Sequence, residues 1–270
     1  MRRVLVYVVI AVFGAGIAIA EGREDTRRLI GLLRLSDVIH VMRQEGLIFG
    51  AELGQGMLPE ADSAQWAARV SDLYDTGKME QVVEAGFSEV LQNVDQAKII
   101  AFYDTDLGRR IVSGEITARE AFLDKPTEDA ARARVSHRTA NARLTQIGQF
   151  IEINDLVEYN VAGALNANYM FYRGLTQGGM IQMSDAEILA EAWAEEDATR
   201  EDSISWLYAY LDEAYAELSV EELKTLTDFA ATPEGQALNR ALFQGFDRMY
   251  AQLSLGLGLA IASLGQYEEL

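Results

Sequence analysis

The sequence predicts an all-α protein, a multi-helix array of two similar helical units related by an internal duplication. Three observations lead there. Apolar residues recur at helical spacing along almost the whole chain. No run of alternating β-branched residues bounded by turns interrupts them. Landmarks of the first half also return in the second at a constant offset of 127 positions, as in Phe102 and Phe229, Thr105 and Thr232, Gly108 and Gly235.

Residues 1–20 read as a secretory signal. Arg2 and Arg3 precede the apolar run Val4 to Phe13, and Ala18-Ile19-Ala20 offers a small-x-small cleavage pattern before Glu21. The unbroken apolar stretch is short of the roughly 20 residues a bilayer crossing needs. The expectation is a periplasmic or secreted protein with no transmembrane span after cleavage. The formal charge of −19 would become −21 once Arg2 and Arg3 are removed. Such a surface excludes nucleic acid, whose capture needs clustered cations facing phosphate. With no cysteine among 270 residues, stability must come from packing rather than disulfides. Three prolines and 49% apolar residues argue for a folded chain.

The first unit is placed at residues 21–125. Met79, Val82, Val83, Phe87, Val90 and Leu91 mark one amphipathic helix, and Asn93 with Gln96 fits a capping box before the next. A break at Pro126 opens a connecting helix, residues 126–150, running from about Thr127 to Phe150. Its Arg132, Arg134, Arg138 and Arg143 are expected to pair with acidic faces of the same molecule. The second unit, residues 151–270, carries capping boxes at Ser184 with Glu187 and Ser219 with Glu222. Leu207, Tyr210, Leu211, Ala214, Tyr215 and Leu218 give it a second clear helical stripe. The offset of 127 also pairs Trp66 with Trp193, Leu91 with Leu218, Ile99 with Leu226 and Ile111 with Leu238. Upstream, Leu35–Ile39 resembles Ile153–Val157 at an offset of 118, so an insertion is placed around Thr176 to Met183.

The repeated Phe-x-x-Thr-x-x-Gly element reads as a corner. Phe102 or Phe229 closes one helix, Thr105 or Thr232 caps the next, and Pro233 suits the first helical position because it lacks an N–H. Gly108 or Gly235 lets a neighbouring backbone approach. Anion capture by free helix amides is the functional alternative, with Arg109 and Arg110 in support, but Gln236 and Ala237 replace them in the second copy. A calcium loop through Asp104, Asp106 and Glu115 lacks an oxygen ligand at Gly108 and a glycine at Arg109.

Leu218-Ser219-Val220-Glu221-Glu222-Leu223, then Phe229, then Thr232-Pro233-Glu234-Gly235-Gln236, resembles the signature of the family called domain of unknown function 2059. The match is best over Ser203 to Leu253. The resemblance implies a helical fold and a bacterial exported protein, and assigns no catalytic residue.

No catalytic or metal-binding constellation is read from the sequence, and no cofactor is expected. His40 and His137 stand far apart, without cysteine or a His-x3-His pair. The acid run Glu191, Glu195, Glu196, Asp197, Glu201 and Asp202 reads first as a solvated face. Glycoside hydrolysis would need two of its carboxylates at a shared cleft. Eight of the eleven tyrosines fall from Asp155 onward. Tyr169 and Tyr172 on one helix, Tyr210 with Trp206 on another, and Trp193 are the candidate ligand-binding residues, against the plainer reading of core filler. Leu253 to Leu264 spaces Ser254, Gly258 and Ala262 as a small-residue stripe, suited to burial in the bundle or to a homodimer. The expected function is a non-catalytic interaction or binding module of the cell envelope, with an unknown protein or small ligand as partner. The alternative is a carboxylate-dependent hydrolase of envelope glycans.

Overall fold

The computed structural model describes residue 22 and residues 24–58, 63–139 and 141–265; the signal read at residues 1–20 lies outside them. Helices are the only regular elements among these residues. After a helical lead-in over 24–32 come α1 (Leu35–Met57), α2 (Ser63–Leu73), α3 (Thr76–Leu91), α4 (Gln96–Tyr103) and α5 (Asp106–Ala121). Then follow α6 (Lys125–Ser136), α7 (Ala142–Ile153), α8 (Leu156–Gln177), α9 (Asp185–Ala194), α10 (Glu196–Ala214), α11 (Val220–Ala230) and α12 (Pro233–Gly265). None of the described helices is long and apolar enough to cross a membrane.

Short polar side chains start most of these helices by accepting bonds from otherwise free amides. Ser184 and Ser219 form complete capping boxes with Glu187 and Glu222. Asp75, Thr105, Asp124 and Asn141 cap α3, α5, α6 and α7. The box expected at Asn93 does not form. Asp95 holds the cap position, and Gln96 turns inward to accept from Thr26 Oγ1 at 3.0 Å and donate to the Leu91 carbonyl at 3.1 Å. Once buried, its amide is satisfied only by partners inside the molecule.

The connecting helix is two helices rather than one. Asn141 Oδ1 accepts from Leu144 N at 3.0 Å and starts α7 afresh. In the break, Arg138 reaches back to both carboxylate oxygens of Asp212 at 2.8 Å. All four arginines of this region are used internally, Arg132 on Asp202, Arg134 on Glu213, and Arg143 on the Tyr215, Ala216 and Leu218 carbonyls.

Two hydrophobic cores result, and the halves trade their last helices. The first core joins α1 to α4 with α12, through Phe87, Leu91, Ile99, Leu238, Met249 and Ile261. The second joins α7, α10 and α11 with α5, through Ile111, Ala118, Ile151, Leu211 and Tyr215. The α5 helix touches both. Val112 and Ile116 point to the first core, while Ile111 and Ala118, seven residues apart, point to the second.

The two corners have the same geometry. Thr105 Oγ1 and Thr232 Oγ1 each donate to the preceding Phe carbonyl at 2.7 Å and each accept from the glycine amide at 3.0 Å. A Cβ on Gly108 would fall 2.5 Å from Tyr103 Cα; one on Gly235 would fall 2.8 Å from Ala230 Cα, at the equivalent place. The corners meet face to face, with the Phe102 and Phe229 rings stacked at 4.0 Å and 8°.

Elsewhere the offsets differ from those read in the sequence. The long helices α1 and α8 both start after a left-handed residue, Arg34 (φ 50°) and Asp155 (φ 51°). That pairs position 34 with 155, an offset of 121 rather than 118. The helices α10 and α11 have 19 and 11 residues against 16 in α3 and 8 in α4. Nor do Trp66 and Trp193 correspond in environment: Trp66 is 4% exposed and donates to the Gly50 carbonyl at 2.7 Å, whereas Trp193 is 52% exposed.

Small residues set the closest helix approaches. Gly46, Gly50 and Gly54 line one face of α1, beneath Tyr74, Val70 and Trp66. The C-terminal stripe is spent the same way, as Gly258 lies against Gly174 of α8 and Ala262 against Gly178. Leu253, Leu257, Ile261 and Leu264 are buried in the first core of the same chain.

Candidate functional sites

The five residues proposed from sequence to bind a ligand are not gathered in one place. Trp206 and Tyr210 on α10 stack at 4.6 Å, with Phe122 edge-on to both. Tyr172 on α8 packs against the first core, and Arg173 lies 5.7 Å above the Tyr169 ring. Trp193 stands apart on α9. Two grooves open beside α2, and none of the five lines either one. One, about 590 Å³, is bounded by Leu47, Gly54, Leu58, Trp66 and Val70.

The α9 surface is the more unusual feature. Ile188 and Ala192 bury one face of this helix, while Leu189 and Trp193, four residues apart and so side by side, remain 47% and 52% exposed. Exposed acids flank the pair along the chain: Asp185, Glu191, Glu195 and Asp197. The nearby arginine is already engaged, since Arg200 holds Glu158 and Glu196. The ridge is therefore apolar at its crest and anionic around it.

A second cluster sits where α5 meets α10, α1 and α12. Tyr215 Oη donates to Glu115 Oε1 at 2.6 Å, and Tyr210 Oη donates to the Glu115 carbonyl at 3.0 Å. One turn further along α5, Arg119 grips both oxygens of Glu45 at 2.8 Å and reaches Tyr250 Oη at 3.4 Å. Burial pushes the Glu115 carboxyl up to about 7, against the opposing effect of the Tyr215 bond. Burial also raises the Tyr103, Tyr210 and Tyr215 hydroxyls, with Glu115 adding to each. Burial alone would lower Arg119; the neighbouring Tyr250 and Glu45 more than offset it.

A carboxyl that titrates near neutrality could serve as a general acid. Hydrolysis would also require a free carboxylate facing the same cleft. Glu45 has both oxygens on Arg119, and neither groove beside α2 is lined by Glu115. The acids of the calcium alternative are dispersed as well: Asp104 pairs with Arg28, Asp106 with Arg110, and Glu115 turns to Tyr215. Among the described residues no His, Cys, Asp or Glu cluster is arranged to hold a metal ion.

Sequence reasoning named Glu115 only as a calcium ligand and Tyr215 as a stripe residue and a possible groove aromatic, and it missed Glu45, Arg119 and Tyr250. The spacing of Glu115 and Arg119 on one helix face was the available signal. Comparison of the chain with family models, curated proteins and solved structures found no match.

Proposed function

We propose that the protein is an exported, non-catalytic interaction module of the cell envelope, which uses the α9 ridge to bind a basic amphipathic segment of a partner protein. The uncovered Leu189–Trp193 pair carries this reading. The molecule encloses Trp66 and stacks Trp206, yet leaves its third tryptophan half in solvent. Exposed aromatic and aliphatic pairs of this kind suit burial at an interface. The surrounding acids favour a partner whose apolar face is flanked by lysine or arginine. The signal-like residues 1–20 and the likeness of Leu218–Gln236 to domain of unknown function 2059 support export.

The test uses the protein from residue 21 onward and two synthetic amphipathic helices, one of leucine and lysine, one of leucine and glutamate. The lysine peptide is expected to bind, to shift Trp193 emission to the blue, and to weaken as salt rises. Trp193→Ala is expected to abolish binding. Equal binding of both peptides, or none of the lysine peptide, would overturn the reading.

A further inference from the structure

The Glu115 cluster plays no part in that binding surface, yet it lies where the two cores join. Glu115 projects from α5, the first-half helix that completes the second core, toward α10, the central helix of that core. The groups facing it can be enumerated by element. From α10 and the residue that ends it come the hydroxyls of Tyr210 and Tyr215, and from α4 that of Tyr103. Arg119 follows on α5 itself, but its guanidinium is committed to Glu45 of α1 and to Tyr250 of α12. Asp212 on α10 faces Arg138 instead. No cation pairs with Glu115 among the described residues.

This arrangement suits a neutral carboxyl better than a charged one. Here Glu115 accepts from Tyr215 while Tyr210 stays on the main chain, an arrangement that a protonated carboxyl can keep. Glu115 is half-buried, and of the hydroxyls around it only that of Tyr215 points at the carboxyl, so an ionised form lacks the several donors needed to replace the hydration it has lost. A second donor must come from Tyr210 leaving the Glu115 carbonyl, or from water entering between α5 and α10. Either event disturbs the stack of Trp206 on Tyr210, which sits directly on this seam.

We propose that Glu115 is a pH-sensitive latch between the two halves: protonated, it holds α5 against α10, and deprotonated, it loosens that contact and the joint between the cores. The latch would let an exported protein respond to the pH of its surroundings, with the looser state on the alkaline side.

Trp206 supplies a local readout. Its emission, and hydrogen exchange along α5 and α10, would be followed from pH 5 to 9 in the full exported chain. Wild type is expected to show one transition centred near 7. Glu115→Gln, which stays neutral at every pH, should abolish it. Tyr215→Phe removes the bond that favours the ionised form and should move the transition upward. Asp247→Asn controls for the other raised carboxyl, on α12 against Gly163 of α8, and should leave the Trp206 transition unchanged. A transition that persists in Glu115→Gln, or none in wild type, would overturn the proposal. If Glu115→Gln does not fold, carbon NMR of the wild-type glutamate carboxyls decides the matter. A resonance titrating near 7 supports the latch, and a set with none titrating above the ordinary range near 4.5 removes it.

Discussion

The first core closes where helices meet almost backbone to backbone, at Gly86 against Gly245 and at Gly258 against Gly174. The second closes through polar side chains, with Arg138 on Asp212, Arg143 on the carbonyls that end α10, and Tyr215 on Glu115. The two are built on the same corner and differ in what holds the helices together. Close apolar packing depends little on pH or salt, whereas buried carboxyls and their partners respond to both. The second core therefore depends more on titratable partners than the first, which still carries Asp247 on α12 and the Arg119–Glu45 pair.

The largest test of that contrast is pH. Glu115 titrates at about 7 in the folded chain against an ordinary 4.5, so folding favours its protonated form. Its stabilising contribution is complete below about pH 4.5 and disappears as pH rises toward 7, a swing on the order of 3 kcal/mol. Asp247, raised to about 6 from 3.8, acts with the same sign in a lower window. Glu222, held down to about 2 by Arg110 and by the Ser219 cap, acts oppositely: its contribution is lost only as pH falls below 4.5. Urea midpoints should drop from pH 6 to 8.5 for wild type and drop much less for Glu115→Gln, in which only the end of the Asp247 transition remains. Parallel drops would break the contrast.

The next test concerns charge. Asp212 is 4% exposed, so Arg138→Ala leaves a buried carboxylate with only the more distant Arg134 at 3.9 Å. A loss of about 2 to 3 kcal/mol is expected, lessened because Arg138 itself is partly exposed. Arg28→Ala removes an exposed pair with Asp104 on the first half and should cost under about 1 kcal/mol. Denaturation of the two variants in one buffer gives the comparison directly, and equal losses would refute it.

The helices themselves were legible because their signals are local. Ser219 with Glu222 and Thr105 before Asp106 settle where a helix starts within four residues. The exchange of α5 and α12 between cores was not, because Val112 and Ile111 are equally apolar and periodicity does not say which core either one enters. Chemical identity also misled at Trp66 and Trp193, where the same side chain at the chosen offset is enclosed once and uncovered once. The seam was hidden for another reason: Glu45, Glu115, Tyr215 and Tyr250 come from four distant helices, and a carboxyl shows its burial only after folding.

The corners give a smaller effect that should be the same in both halves. Alanine in place of a helix-interior glycine ordinarily stabilises by up to about 1 kcal/mol. At Gly108 and Gly235 the added Cβ meets backbone of the preceding helix end, which cannot rotate away. Each substitution is expected to destabilise by about 2 kcal/mol. Chemical denaturation would show it, and stabilisation at either site would mean the two corners are not equivalent.

The smallest effect is also the finest measure of that equivalence. Thr105→Ala and Thr232→Ala each remove one acceptor for a glycine amide at 3.0 Å and should each cost about 1 kcal/mol, with serine restoring most of it. The losses should agree within a few tenths, because Pro233 removes a donor that the threonine does not serve. Their sum is a separate question. Phe102 and Phe229, one turn before the two caps, stack on each other, so loosening one corner shifts the surface on which the other rests. A double variant losing appreciably more or less than the sum would show the corners acting as one joint. Strict additivity would show two independent caps that happen to lie face to face.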